Sequence, residues 1–398
     1  MVSSGRLISI SALFTAPVLS AALAMRRSTS TLLVATRKDE ASMNIFNALR
    51  SLPVWREQPK VNTAANGESV DDDVTLTTCN KKGEMFHLWL QDSPLLSLDY
   101  ANEVFSSKYP QLASSSSSSA SSSSVFSSID DIIFLSKHSA ASGTRALTVH
   151  PIGIPWLTSK DEEQYGGKSG KCVPPHSHIS HLYRKVLAEV KSIDMTEKYQ
   201  VTLEGTHHGP YAEVPCCFVE IGSTENDWGE EEAGAIWAKS LSEHFEFQMI
   251  DVTSETDETE ISTNSEQSPS VLGKTYVIMT IGGGHYIPKL NDVARLGEEF
   301  YVGHALSSYM FAHYADNPDA SPLLEGGWKA IVDEGIDSTM KGAMVSPDTE
   351  LMVLVDKKAF KAPLKNAITK HLTDRGVNWT FSVSDIKKLQ KEGAGLHV

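Results

Sequence analysis

Glu204-Gly205-Thr206-His207-His208-Gly209-Pro210 is the densest group of reactive side chains in the sequence, and Glu213, Glu220 and Glu225 follow it closely. Imidazole beside carboxylate suits general-base work near neutral pH, and equally a metal ligand oriented by an acid. In an extended segment His207 and His208 point to opposite faces, so only one of them works at a site unless the loop turns sharply. Ile281-Gly282-Gly283-Gly284-His285-Tyr286 forms a second group. Its glycines permit positive φ and expose N–H groups that could cradle a phosphate or an oxyanion, although the same run also makes a plain tight turn. Gly303-His304-Ala305 repeats the pairing of a small residue with a histidine. In Thr148-Val149-His150-Pro151 the proline forces an extended conformation on His150 and fixes its direction, whether as a ligand or as a structural histidine.

Other patterns carry less chemistry. Pro174-Pro175-His176-Ser177-His178-Ile179-Ser180-His181 is rich in metal-ligating side chains but matches no standard zinc spacing, and it is expected to be a mobile loop. Gly167-Lys168-Ser169 and Gly273-Lys274-Thr275 resemble the end of a P-loop, yet Glu162 and Ser268 stand where the upstream glycine is required. The chain contains no G-x-S-x-G nucleophile elbow. Asn378-Trp379-Thr380 has the form of a glycosylation sequon but falls in an expected strand.

The elements that must hold these groups are strands alternating with helices. Short apolar runs at 32–36, 74–78, 132–135, 146–149, 199–204, 216–221, 276–281 and 351–355 read as strands. Helical periodicity runs from Asp39 to Leu52 and again near 180–190, 230–244, 290–296, 322–333 and 359–372. This alternation predicts an α/β fold, a mixed sheet with helices on both faces. The reactive groups then sit at strand ends, where loops present polar side chains on a rigid frame. Residues 31–398 read as the folded domain, with disordered insertions at about 111–128, almost pure serine, and at 253–270, acidic and polar.

Composition narrows the class further. With 40% hydrophobic residues and 21% charged, the chain fits a globular protein, and its net charge of -15 argues against a general nucleic-acid coat. Basic residues nonetheless collect between Lys357 and Lys391, a solvated helix face or a local RNA contact. Four cysteines without a C-x-x-C pattern imply free thiols in a reducing compartment. Residues 1–30 contain no acid and read as an extension: a transit peptide, a secretory signal, or a leader removed by initiation at Met25. No segment is long and apolar enough to span a bilayer. A cytoplasmic or nuclear monomer is expected, with an organelle-targeted form if the extension acts.

Taken in order, LTVHPIG (147–153), LEGTHHGP (203–210), FVEIGSTENDW (218–228), IGGGHY (281–286) and GHA (303–305) resemble the archaeal and plant type of D-aminoacyl-tRNA deacylase. The resemblance covers about 31–398 outside the two insertions. It implies a fold similar to peptidyl-tRNA hydrolase and nucleoside phosphorylases. It also implies zinc-dependent hydrolysis of D-aminoacyl-tRNA to D-amino acid and tRNA, and a link to aldehyde-modified D-aminoacyl-tRNA. On that footing His150, His207, His208, His285 and His304 form the zinc ligand pool. His207, His208, Glu213 and Glu225 are the expected catalytic residues, with Glu220 as a further base or supporting acid. Gly282, Gly283 and Gly284 are expected to serve an oxyanion or phosphate, and Lys137 and Arg145, with the basic tail, to hold tRNA phosphates. The competing expectations are a hydrolase of a related ester such as peptidyl-tRNA, and a non-catalytic tRNA-binding protein.

Overall fold

The computed structural model describes residues 29–59, 73–112, 129–249 and 274–393. Residues 1–28 of the expected extension, the serine tract at 113–128 and the acidic insertion at 253–270 lie outside the described residues.

Eight strands form a mixed sheet: β1 (Ser30–Thr36), β2 (Arg56–Glu57), β3 (Val74–Cys79), β4 (Met85–Gln91), β5 (Asp131–Lys137), β6 (Ala146–His150), β7 (Gln200–Leu203) and β8 (Cys216–Gly222). Their order is β2-β3-β4-β1-β5-β8-β6-β7, with β1, β4, β5 and β8 parallel to one another and β6 antiparallel to β8. A second, parallel sheet has the order β10-β9-β11-β12, from β9 (Tyr276–Ile281), β10 (Phe300–Leu306), β11 (Glu350–Val355) and β12 (Asn378–Thr380). Where the sequence predicts one mixed sheet, the described residues form two. The strands β4 and β10 escape the sequence reading because His87, Gln91 and His304 interrupt their apolar character, although all three are buried.

Alternation along the strands assigns each face its cover. Leu33, Ala35, Ile133, Leu135, Val219 and Ile221 pack against α1 (Glu40–Arg50), α4 (Ile179–Ser192) and α6 (Glu231–Phe245). Leu32, Val34, Ile132, Phe134 and Phe218 face the other way, onto α2 (Ala101–Lys108). In the second sheet, Met279, Ile281, Leu306, Val353 and Val355 pack on α8 (Gly327–Gly342) and α9 (Ala362–Asp374), while Ile278, Val302 and Leu354 join α7 (Pro288–Ala294). The expected helix at 322–333 starts later, because Gly326 and Gly327 have φ of +82° and +60° and cannot continue a right-handed turn backwards. The 174–181 tract is not a mobile loop: Pro174, Pro175 and His176 are buried and lead directly into α4.

Two local features position the site. Asp39 caps α1 through Oδ1, 2.9 Å from the Ser42 N–H, while its Oδ2 accepts from the Lys137 N–H at 3.1 Å, tying the helix to the end of β5. Beyond β7 the chain runs across to the second sheet. Gly205 N–H donates to the His285 carbonyl at 2.7 Å and Thr206 N–H to the Ala305 carbonyl at 2.8 Å. The two histidine-bearing loops therefore meet where the sheets join.

Candidate active site

Strand register builds the floor of the site. Antiparallel pairing of β6 and β8 sets Thr148 opposite Glu220 and His150 opposite Phe218, so these four side chains share one face. His150 stacks on Phe218 with centroids 5.1 Å apart and rings inclined by 9°, and the Thr148 hydroxyl donates to Glu220 Oε2 at 3.3 Å. Past the end of β7 comes Glu204, wholly buried, then the turn carrying His207 and His208. His208 has φ of +36°, a conformation a β-carbon opposes, and this turn brings both neighbouring imidazoles to the same place. Their ring centroids are 4.4 Å apart, and each lies within 5 Å of the His150 ring, at 4.1 and 4.9 Å.

Glu204 is the hub. Its Oε2 lies 2.7 Å from His285 Nε2 and 3.7 Å from His207 Nε2, and its Oε1 lies 3.1 Å from His138 Nδ1. Glu220 approaches the same histidines from the sheet, 3.7 Å from His138 Nδ1 and 3.6 Å from His150 Nε2. Burial disfavours both carboxylate charges, but the adjoining imidazoles, His138 and His285 for Glu204 and His138 and His150 for Glu220, outweigh it and hold both pKa values below the usual glutamate range. Burial likewise opposes a charge on His138, yet the two carboxylates push its pKa up to about 11. His207 and His208 behave oppositely. Burial first, then the neighbouring imidazoles, pushes His207 well below the usual histidine range and His208 down to about 4, so both are neutral at pH 7.

Three of the imidazoles share a further geometry. The Nδ1 atoms of His150, His207 and His208 lie 3.0, 2.8 and 2.6 Å from the carbonyl oxygens of Pro151, Gly205 and Gly209. A carbonyl only accepts, so each Nδ1 carries the hydrogen. In the neutral rings of His207 and His208 Nε2 keeps a lone pair, whereas for His150 burial opposes the charge but Glu220, 3.6 Å from its Nε2, raises the pKa. One ligand atom from each ring lies within 4.8 Å of the others. The buried Nε2 of His150 has no hydrogen-bond partner, and neither carboxylate oxygen of Glu204 has one at strict hydrogen-bonding geometry.

A cavity of about 650 Å³, within the ~300–1,000 Å³ usual for small-molecule sites, opens onto this cluster. His138, His207, His208, Glu220 and His285 line its inner part, and the exposed Lys38, Lys137 and Tyr165 its rim.

The structure thus gathers His150, His207, His208 and His285 and leaves other expected residues elsewhere. His304 is corrected: its ring nitrogens meet the hydroxyls of Thr206 and Ser338 at 3.0 and 3.2 Å, and burial pushes it down to about 3. It clamps the Thr206 turn from beneath. Glu213 and Glu225, expected to be catalytic, are exposed and belong to none of the clusters, in which Glu204 and Glu220 stand instead. The glycine run does not line the cavity at the histidines. Gly282 N–H is engaged by the Leu306 carbonyl at 2.7 Å, and a β-carbon there would fall 2.7 Å from that of Ala359. Gly283 and Gly284 present carbonyls to Ser308 and Ser307, so the run shapes a turn that aims His285.

Among the cations, Lys137 reaches the cavity wall, 4.5 Å from the Trp228 ring centroid. Arg145 does not, being paired with Asp227 at 2.8 Å and Glu230 at 3.5 Å. In the basic tail Lys370, Arg375 and Lys388 pair with Asp374, Asp333 and Asp385, which favours the solvated-face reading there. His138 is the residue the sequence reading missed. Its signal was available, since it directly follows β5 as His150 closes β6.

An α/β frame with a buried His/Glu cluster opening onto a cavity is the arrangement of an enzyme site. The particular kind follows from comparison with known proteins: the chain belongs to the D-aminoacyl-tRNA deacylase family, whose sequence model matches residues 125–380. It is 28% identical over 354 residues to a D-aminoacyl-tRNA deacylase of Arabidopsis thaliana, covering 87% of this chain and 97% of that protein. It is 30% identical over 190 residues to the one of Picrophilus torridus, covering 47% and 60%. A crystal structure of a conserved protein of unknown function shares the fold, with a TM-score of 0.57 at 20% identity, covering 89% of this chain and 95% of that one. No helix among the described residues is long and apolar enough to cross a membrane.

Proposed function

We propose that this chain hydrolyses the ester between a D-amino acid and the terminal ribose of tRNA, using His285 oriented by Glu204 as its base and a zinc ion held by His150, His207 and His208. The observation that carries this reading is the cluster of His150, His207, His208, His285, Glu204 and Glu220, of which His207, His208, His285 and Glu220 line one cavity, in a chain of this family.

His285 suits general-base work because its Nε2 stands 2.7 Å from Glu204 Oε2. The side chain is 37% exposed on the cavity wall. It takes a proton from the attacking water and returns it to the leaving ribose oxygen. His138 holds Glu204 and Glu220 in their ionised forms and donates or accepts at Tyr286 Oη, 2.7 Å from its Nε2.

The donor set fits zinc: His207 and His208 are neutral, one ring nitrogen from each of His150, His207 and His208 lies within 4.8 Å of the others, and the buried His150 Nε2 has no hydrogen-bond partner at strict geometry. Zinc bound there would supply Lewis acidity, lowering the pKa of water toward neutrality and polarising the ester carbonyl. Glu220, 3.6 Å from His150, adds negative charge behind that set. The four free cysteines support a reducing compartment such as the cytoplasm, and a monomer suffices because every group named here comes from one chain.

The test offers purified protein D-Tyr-tRNA, L-Tyr-tRNA and N-acetyl-Tyr-tRNA side by side. Release of D-tyrosine at least about a hundredfold faster than the other two is expected, and equal rates for L-Tyr-tRNA or the blocked ester would refute the assignment. In the same assay Glu213→Gln and Glu225→Gln each stay within about twofold of wild type, as exposed positions away from a site do. A tenfold loss in either would restore it to the mechanism.

A further inference from the structure

Trp156, Tyr165 and Tyr309 line the cavity but take no part in the chemistry above. Trp156 and Tyr309 meet edge to face, with centroids 5.4 Å apart and planes at 71°. Tyr165 and Tyr309 are 36% and 40% exposed, whereas most large apolar side chains of the described residues are buried. Tyr165 also adjoins the reactive end, since its carbonyl accepts from the Gly209 N–H at 2.8 Å, one residue beyond His208. The segment is rigidly set. A β-carbon on Gly166 would lie 2.1 Å from the Leu96 carbonyl oxygen, so only glycine permits this approach, and φ of +66° demands the same residue.

We propose that this aromatic wall seats the 3′-terminal adenine of tRNA, with Gln164 at the adenine edge and Lys38 and Lys137 on the adjoining terminal phosphate. The inference rests on the deacylase reading for the identity of the substrate. Its direction follows from topology. The body of a tRNA must leave through the cavity mouth, so the nucleotide occupies the outer part and the amino acid the inner. Telling one mirror image from the other requires close contact on several sides of the α-carbon, which an open rim does not provide. Flat, partly exposed rings suit a base instead, the form of contact by which proteins take up unstacked bases. Gln164 is exposed on the same wall beside Tyr165, and a side-chain amide offers the donor–acceptor pair that matches adenine N7 and N6. Lys38 lies in the turn after β1 and Lys137 closes β5, and both are exposed at the rim.

The experiment measures equilibrium binding of an uncharged RNA minihelix ending in CCA, against the same helix with an abasic 3′ nucleotide. Wild-type protein is expected to prefer the adenine-ended helix about tenfold, the scale of one base stacked on an aromatic side chain. Tyr165→Ala and Tyr309→Ala should cut that preference to less than about threefold each while binding the abasic helix as wild type does, which also reports an intact fold. Tyr309→Phe, which keeps the ring, should retain it. Equal binding of both helices by wild type, or an undiminished preference in both alanine variants, overturns the proposal. So does a change in the relative rates on D-Tyr-tRNA and D-Ala-tRNA in those variants, because the wall would then hold the amino-acid side chain. Failure of wild-type protein to hydrolyse D-Tyr-tRNA with the adenine preference intact would refute the deacylase reading alone.

Discussion

Glu204→Gln is expected to lower kcat/KM for D-aminoacyl-tRNA by about 10³–10⁴-fold, the scale seen when the carboxylate behind a catalytic histidine becomes an amide. The substitution keeps the shape of the side chain but changes what it can accept. Glu204 Oε2 stands 2.7 Å from His285 Nε2 and Oε1 faces His138 Nδ1 at 3.1 Å. An amide has one acceptor oxygen for these two donors, and its NH₂ group must face one of them. If the amide nitrogen turns to His285, that ring moves its hydrogen to Nδ1 and loses the lone pair that faces the cavity. If it turns to His138, a buried cation loses one of the two carboxylates that hold its pKa near 11. Either outcome weakens the centre, and the second also destabilises the fold, since an unpaired buried charge is costly. The measurement is single-turnover deacylation, with circular dichroism to confirm folding. A loss below tenfold in a folded variant would remove the His285–Glu204 pair from the mechanism.

Much of this centre was visible in the sequence, and the exceptions share a physical cause. His150, His208 and His285 stand at strand ends beside Pro or Gly, with His207 next to His208, and such positions place side chains on loops at the sheet edge. Glutamates were harder to rank, because linear proximity to His207 says little about distance in a folded chain. Glu213 lies six residues from His207 and is exposed, whereas Glu220, thirteen residues away, is brought back by the pairing of β6 with β8. The period of two along β8 does carry that information: Phe218 and Glu220 share a face, and the apolar residue marks it as buried. Glu204 sits inside the most distinctive motif of the chain but reads as a solvated acid ending a strand. Only the arrival of His138 and His285, 66 residues before it and 81 residues after it in sequence, turns it into a hub. His304 illustrates the converse. Its Gly-His-Ala context mimics the other loops, yet it lies within β10, and Thr206 and Ser338 take up both ring nitrogens.

Removal of divalent metal should abolish activity, with a loss greater than about a hundredfold, and stoichiometric zinc should restore it. The structural reason is the tautomer set. His150, His207 and His208 each spend Nδ1–H on a backbone carbonyl, and the neutral rings of His207 and His208 keep a lone pair on Nε2. A metal bound among the three would displace the proton that Glu220, 3.6 Å from Nε2, favours on His150. Metal content gives a readout that does not depend on turnover. Wild-type protein should bind about one zinc per chain, and His150→Ala and His207→Ala should each lose most of it. His304→Ala should keep its zinc, because that ring faces hydroxyls. Zinc should also raise the melting temperature of wild-type protein and not that of His207→Ala, since a ligand that binds only the folded state stabilises it. An unchanged rate after exhaustive chelation, with no zinc found, would dispense with the metal and leave the buried imidazoles as hydrogen-bond donors to the ester oxygen. That alternative requires a hydrogen on Nε2 of at least one ring; neutral His207 or His208 gains it only by losing its bond to the Gly205 or Gly209 carbonyl, whereas charged His150 donates from both nitrogens and keeps its bond to Pro151.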